Sequence, residues 1–225
     1  MVKLVFDSST IISISESCLI KILKNLTNTA GFEFIIPASV EEESVTKPMG
    51  INRFKLSAIR IKDGIDEGWI KVWPQSHDIE DEMQSLQELA NNIFWLDNKP
   101  IEILHRGEAE TLALINKTDA EILIIDERTT RLLIENPKSL KSFIEKKHME
   151  SVSMDSSMLN GFKKKISHIE IMRSTELMAL AFEKGLFEEE LGSGKQALEA
   201  SLFALKYNGC AVSVEEILKY LSTVK

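Results

Sequence analysis

Three short apolar runs, Val2-Lys3-Leu4-Val5-Phe6, Phe32-Glu33-Phe34-Ile35-Ile36 and Glu121-Ile122-Leu123-Ile124-Ile125, are each followed by a stretch whose apolar residues recur at helical spacing. Strands buried on both faces read as near-continuous apolar runs, and strands that alternate with helices build parallel sheets through right-handed crossovers. The pattern therefore predicts an α/β fold, a three-layer α/β/α arrangement around a mostly parallel central sheet.

Between the runs, Ser8, Ser9 and Thr10 offer N-cap chemistry for a helix reaching about Asn25. Pro37 closes the second strand, Ser39 caps the next helix, and Glu42 completes a capping-box pattern before Pro48 and Gly50 interrupt it. A basic amphipathic stretch over 54–62 leads to a strand over 69–73, where Trp69 and Trp73 read as core. An acidic helix is expected over 78–97, with Met83, Leu86, Leu89, Ala90 and Ile93 on one face and Trp95 as helix core, then another over 108–117. Asn136-Pro137 stops the helix that follows the third run, and a last strand is expected over 166–172. Three helix-like segments close the chain, punctuated by Gly185, Gly192, Gly194 and Gly209. The expected organisation is a core over 1–140 with an inserted segment near 47–100. Residues 141–225 then complete the sheet and add a helical C-terminal extension.

Asp7 and Asp126 end two of the strand runs, while Glu43 and Glu108 lie at the starts of helical stretches. Carboxylates at the carboxyl ends of parallel strands converge on one crevice, where sheets of this kind bind ligands. Four acids gathered there repel one another unless a cation joins them, and Mg²⁺ or Mn²⁺ takes such oxygen ligands together with substrate phosphates. The pattern points to metal-dependent phosphodiester hydrolysis. Each acid also has a plain structural reading: Asp7 as an N-cap, Glu43 as a solvated first-turn glutamate, Glu108 as a charge favoured at a helix N-terminus. Asp126, after a fully apolar run, is the hardest to explain as structure. Glu110 is the alternative to Glu108, and Glu127, pointing to the other side of the chain from Asp126, is a candidate outer ligand. Ser8 or Thr10 are candidates to hold a water or a phosphate oxygen, though capping explains them too. Arg128 and Arg131 are candidate phosphate clamps or surface arginines paired to Glu127 or Glu135.

The formal net charge of −8 argues against sequence-blind coating of nucleic acid, which needs a basic surface, but leaves room for local basic segments at Lys146-Lys147 and Lys163-Lys164-Lys165. Two cysteines, Cys18 and Cys210, lie far apart in apolar helical patterns, and the four histidines share no metal-binding spacing. Zinc is thereby disfavoured, and a reducing, cytoplasmic setting is expected. No apolar run approaches a membrane span or a signal peptide.

The ordered elements resemble the PIN domain, a family of metal-dependent ribonucleases that includes the toxins of the VapBC toxin–antitoxin systems. The likeness rests on Val5-Phe6-Asp7-Ser8-Ser9-Thr10, on Pro37, Val40 and Glu43 in a Pro-x-x-Val-x-x-Glu pattern, on Gly107-Glu108-Ala109-Glu110, and on Ile124-Ile125-Asp126-Glu127-Arg128 with Arg131 one turn on. It covers roughly residues 1–140. The third acid is usually Asp in the toxin branch, and the GEAE form is similar to an archaeal or bacterial subgroup. The resemblance implies Asp7, Glu43, Glu108 and Asp126 as catalytic metal ligands for Mg²⁺ or Mn²⁺. It also implies single-stranded RNA as substrate, a homodimer, and, for a toxin-like protein, an antitoxin partner.

A haloacid-dehalogenase phosphatase needs a second Asp two residues after the first, where this chain has Ser9, and no P-loop or GxGxxG motif is present. The stronger rival is a non-catalytic PIN-like scaffold for protein interaction or RNA binding. The C-terminal apolar positions Leu198, Leu202, Leu205, Ile217 and Leu221 are expected to pack on the core, with a dimer or partner face as the alternative.

Overall fold

A computed structural model describes residues 2–188, 190–192 and 194–224. In chain order the elements are β1 (Val2–Phe6), α1 (Ser8–Glu16), α2 (Ile20–Ala30), β2 (Phe32–Pro37), α3 (Ala38–Glu41), a π-helical turn (Glu42–Thr46) and a 3₁₀ turn (Pro48–Gly50). Then come α4 (Lys55–Asp66), β3 (Ile70–Trp73), α5 (His77–Ala90), β4 (Phe94–Leu96), β5 (Lys99–Pro100), α6 (Arg106–Lys117), β6 (Ile122–Ile124) and α7 (Arg128–Glu135). The rest are α8 (Pro137–His148), β7 (Ser153–Met154), α9 (Ser156–Ile166), β8 (Glu170–Met172), α10 (Ser174–Glu183), α11 (Lys195–Tyr207) and α12 (Val214–Thr223).

The central sheet has the order β3-β2-β1-β6-β8, and every pairing in it is parallel. Leu4 is opposite Phe34 on one side and Ile122 on the other, and Phe6 is opposite Ile124. Alternation along the strands then splits the core in two. Leu4, Phe6, Phe34, Ile36 and Ile124 pack with residues of α1, α2, α10, α11 and α12. Val5, Ile35, Leu123 and Ile125 pack with residues of α5, α6, α8 and α9. Both faces are covered, which is why these strands carry no polar stripe, and the fold is the expected three-layer α/β/α arrangement. A small antiparallel sheet, β5-β4-β7, stands beside it.

Several local expectations are corrected. The first helix breaks at Ser17–Leu19, where Cys18 takes φ 61 and sits in a turn rather than a helix; α2 then ends in left-handed Gly31. Ser39 caps nothing: Pro37 is the N-cap residue of α3, and the buried Ser39 hydroxyl has no partner among the described residues. The acidic helix stops at Ala90 because Asn91 turns its side chain onto a neighbouring segment. Its carboxamide oxygen accepts from the Ile103 and Leu104 amides, both at 2.8 Å. Trp95 therefore lies in β4, and Asp97 and Asn98, both at positive φ, make the two-residue hairpin turn to β5. Trp73 is exposed at the sheet edge and Trp69 half-buried, so neither is fully core. Cys210 sits buried in the loop before α12. Among the described residues, no helix is long and apolar enough to cross a membrane.

Candidate active site

Asp7 ends β1, is 4% exposed, and is held by its own helix: the Ser9 amide donates to Oδ2 at 3.0 Å and the Ser9 hydroxyl donates to the same oxygen. The N-cap role is therefore real. Burial still pushes the Asp7 carboxyl above its usual range, against the lowering effect of the Ser9 contacts, and the charge of Glu43 pushes the same way.

Glu43 reaches this place through the π-helical turn, a local widening often found at functional sites. Val40 packs fully inward, and the Ser44 hydroxyl donates back to the Val40 carbonyl at 2.6 Å. The Glu43 carboxylate rests against Gly107 of α6: a Cβ there would lie 3.4 Å from Oε1 and 3.5 Å from Oε2. A single added carbon at 107 would be at ordinary contact distance, whereas a branched side chain would crowd that carboxylate.

Glu108 follows Gly107. The His105 amide donates to its Oε2 at 2.9 Å, closing the start of α6. Burial, with the charges of Asp7 and Glu127 added, pushes its carboxyl up to about 7, although the His105 contact opposes this. Glu110 is buried further along the same helix. Residues two apart on a helix do not share a face, so Glu108 and Glu110 do not present to one point.

Asp126 goes elsewhere. It lies two residues past Ile124 and Asp7 one past Phe6, and Phe6 and Ile124 are paired. The two acids thus leave the same edge of the sheet on opposite faces. The Ser174 amide donates to Asp126 Oδ1 at 2.9 Å, and the Cys210 thiol lies against the carboxylate. Oδ2 is buried with no hydrogen-bond partner among the described residues. Burial raises the Asp126 carboxyl, opposed by Cys210, Ser174 and Arg173, while burial first and Asp126 second push the Cys210 thiol up to about 12. Glu127 occupies the side where Asp126 was expected: its charge acts on Glu108, and its side chain accepts from the Thr130 amide at 2.7 Å.

The remaining candidates have structural occupations. The fully buried Thr10 hydroxyl accepts from the Asp126 amide at 3.0 Å, tying β6 to α1. Arg128 lies over the Phe143 ring at 5.6 Å. Arg131 pairs with Glu135 at 3.3 Å and donates to the Ala211 carbonyl at 3.3 Å. Residues not singled out in the sequence also matter. Arg173 donates to Ala211, Glu176 and Glu216, and so fixes the loop that carries Cys210 to Asp126. Its readable signal was Glu176, three residues into a helix that starts after Arg173.

That bracket sets an acid limit on stability. The Ser213 amide first, then Arg173 and the Ser213 hydroxyl, hold the Glu216 carboxyl at about 2, with burial opposing. A carboxyl depressed from 4.5 in the unfolded chain to about 2 when folded contributes stability above pH 4.5 that is lost as pH falls toward 2. Thermal unfolding followed from pH 7 to 2.5 should show Glu216→Gln less stable than the parent at neutral pH, with the gap closing below pH 4.

Asp7, Glu43 and Glu108, from three separate segments, thus lie near one another at the C-terminal edge of the sheet: the charge of Glu43 acts on Asp7, those of Asp7 and Glu127 act on Glu108, and Glu43 rests against Gly107. Among the described residues, no group of three or more His, Cys, Asp or Glu side chains closes on a common point as an ion site. The donors nevertheless suit a hard divalent ion in kind, all being carboxylate oxygens, with two of them raised by the burial and like charge that a cation relieves. Asp126 Oδ2, buried and without a hydrogen-bond partner among the described residues, lies on the opposite face and is not part of this group.

No curated protein and no solved structure matches the chain. The model of a family described as a PIN domain matches residues 3–137, and PIN domains are generally nucleases that typically use divalent metal ions. The matched span is more than half of the chain and includes every segment that delivers Asp7, Glu43, Glu108 and Asp126 to the sheet edge, so the chain belongs to the PIN-domain family.

Proposed function

We propose that this protein is a Mg²⁺- or Mn²⁺-dependent endoribonuclease that hydrolyses phosphodiester bonds in single-stranded RNA in the cytoplasm. The observation that carries the reading is the convergence of Asp7, Glu43 and Glu108, from β1, the π-helical turn and α6, on one sheet edge. Asp7 is held rigid by Ser9 and supplies a fixed oxygen. Glu43, seated on Gly107, supplies a second. Glu108 is shared between its helix N-terminus and the cluster, so its second oxygen is the free one. Glu127 supplies the fourth carboxylate on the Glu108 side, since Asp126 is held on the opposite face by Ser174. A divalent ion, when bound, supplies Lewis acidity toward a phosphoryl oxygen and makes water more acidic. No side-chain nucleophile is needed.

The GEAE form at Gly107–Glu110 supports placement in the archaeal or bacterial subgroup noted above. A toxin-like role, an antitoxin partner and a homodimer belong to the same proposal on that resemblance alone. One observation favours a non-catalytic scaffold: the Glu108 carboxylate already closes its own helix, and among the described residues no trio of ligands is preformed.

A panel of labelled single-stranded RNAs incubated with Mg²⁺ or Mn²⁺, and with EDTA, decides between the two. Cleavage that EDTA stops and either ion restores is the expected result. Equal products in EDTA would overturn the metal-dependent reading, and no products with either ion across the panel would leave the scaffold reading standing. Position 107 gives a graded check. In Gly107→Ala the new carbon meets Glu43 at ordinary contact distance and cleavage is retained. In Gly107→Val the branched carbons displace the Glu43 carboxylate, and cleavage falls at least about tenfold.

A further inference from the structure

A cavity of about 250 Å³ opens directly beside the acid cluster, between the start of α6 and the outer side of α8. Glu108 and Glu127 line it together with Phe143 and Ile144 of α8, Lys147 and His148 at the end of that helix, and the Glu102–His105 pair, 3.3 Å apart. We infer that this cavity is a subsite for a single nucleotide of the RNA, taking the base against Phe143 and one flanking phosphate at Lys147 and His148. The inference rests on the nuclease reading for the identity of the longer substrate, but the subsite has its own geometry and its own test.

Four observations converge on a nucleotide. The volume lies below the roughly 300–1,000 Å³ of sites for drug-sized ligands, so the cavity admits one base and little more. Its apolar wall contains a half-buried aromatic ring, and every base has a face that stacks on such a ring. The ring is braced: the Arg128 guanidinium lies 5.6 Å from its centroid, and Arg128 does not line the cavity. Finally, the lining carries both signs of charge from different elements: Glu108 and Glu127 belong to the acid cluster, Lys147 and His148 to the last turn of α8, and Glu102 and His105 are paired with each other. On the same helix Lys141 is paired with Glu145 at 3.6 Å, whereas Lys147 and His148 carry no ion pair among the described residues. A nucleotide within a chain has a phosphate on each side of its sugar. With its base in the cavity, one phosphate is delivered to the acid cluster and the other to the unpaired Lys147, with His148 beside it. An aliphatic ligand would use the apolar wall but leave Lys147 and His148 without a partner.

The test is a titration of the full-length protein in EDTA with the four ribonucleoside monophosphates, as 5′ and as 3′ esters, followed by calorimetry or by amide chemical shifts. Wild type is expected to bind at least one of them. Phe143→Leu keeps apolar volume but removes the stacking surface and is expected to weaken binding about tenfold. Lys147→Ala, an exposed position with little bearing on folding, is expected to weaken it about fivefold, and Lys138→Ala at the far end of α8 not at all. Binding by none of the mononucleotides, or binding that Phe143→Leu and Lys147→Ala leave unchanged, overturns the subsite. The two proposals fail separately. Mononucleotide binding with these losses, in a protein that cleaves no RNA with either ion, upholds the subsite and removes the hydrolase. RNA cleavage with kcat/KM unchanged in Phe143→Leu and Lys147→Ala does the reverse.

Discussion

Asp7→Asn is expected to lower RNA cleavage by at least about a hundredfold while the protein unfolds at the same temperature as the parent or higher. The two halves of that outcome have separate causes. Asparagine keeps the side-chain oxygen that accepts from the Ser9 amide, so the start of α1 stays capped. It removes a buried negative charge that Glu43 and Glu108 both oppose, so the folded state loses a repulsion rather than an attraction. A gain of 1 kcal/mol would appear as a rise of about 2–4 °C in a chain of this size. Loss of a supporting outer group at a metal site typically costs about 10- to 100-fold, and a direct ligand costs no less. Activity and thermal melts measured on the same preparation provide the check. Loss of activity together with a marked loss of stability would mean that Asp7 is chiefly a cap, and the candidate site would lose its firmest member.

A chain ended at residue 140, just beyond the span that matches the family, is expected not to fold. It lacks β8, leaving β6 as an open edge, and it lacks every C-terminal helix. Leu177, Met178, Phe187, Leu198, Leu202 and Leu205 are buried in the same cluster as Phe6, Ile22, Leu23 and Leu26 of the core. On the other face, Phe162 and Ile166 go as well. Removing one large buried side chain costs about 2–5 kcal/mol, against a total stability of about 5–15 kcal/mol. Three such losses suffice to unfold the domain, and the truncation makes many more. Circular dichroism and gel filtration of the 1–140 fragment are the measurements. A monomeric, cooperatively melting fragment would show that the segment after 140 is an accessory to a self-sufficient core. The expected result makes it part of the same folding unit, as the contacts of Ser174, Arg173 and Cys210 around Asp126 already imply.

The amino-acid order by itself determined the strands, because residues buried on both sheet faces must be apolar throughout and so stand out in the chain. It determined Asp7 as the end of the first strand, Val40 as inward-facing, and Gly107-Glu108 as the opening of α6, since these depend on contacts within a few residues. The hairpin at Asp97-Asn98 was also legible in principle, because such residues tolerate positive φ, but the helical period of the preceding segment masked it. What only the tertiary structure decided was the side from which each acid acts. Asp126 and Glu127 project to opposite faces, and which of them joins Asp7 depends on the register that sets Phe6 opposite Ile124. The carboxylate of Asp126 is then held by Ser174 and Cys210, residues 48 and 84 positions later in the chain. The meeting of Phe143 with Glu108 at one cavity has the same origin. Strand pairing and helix packing join segments far apart in the chain, and no local spacing records where they meet.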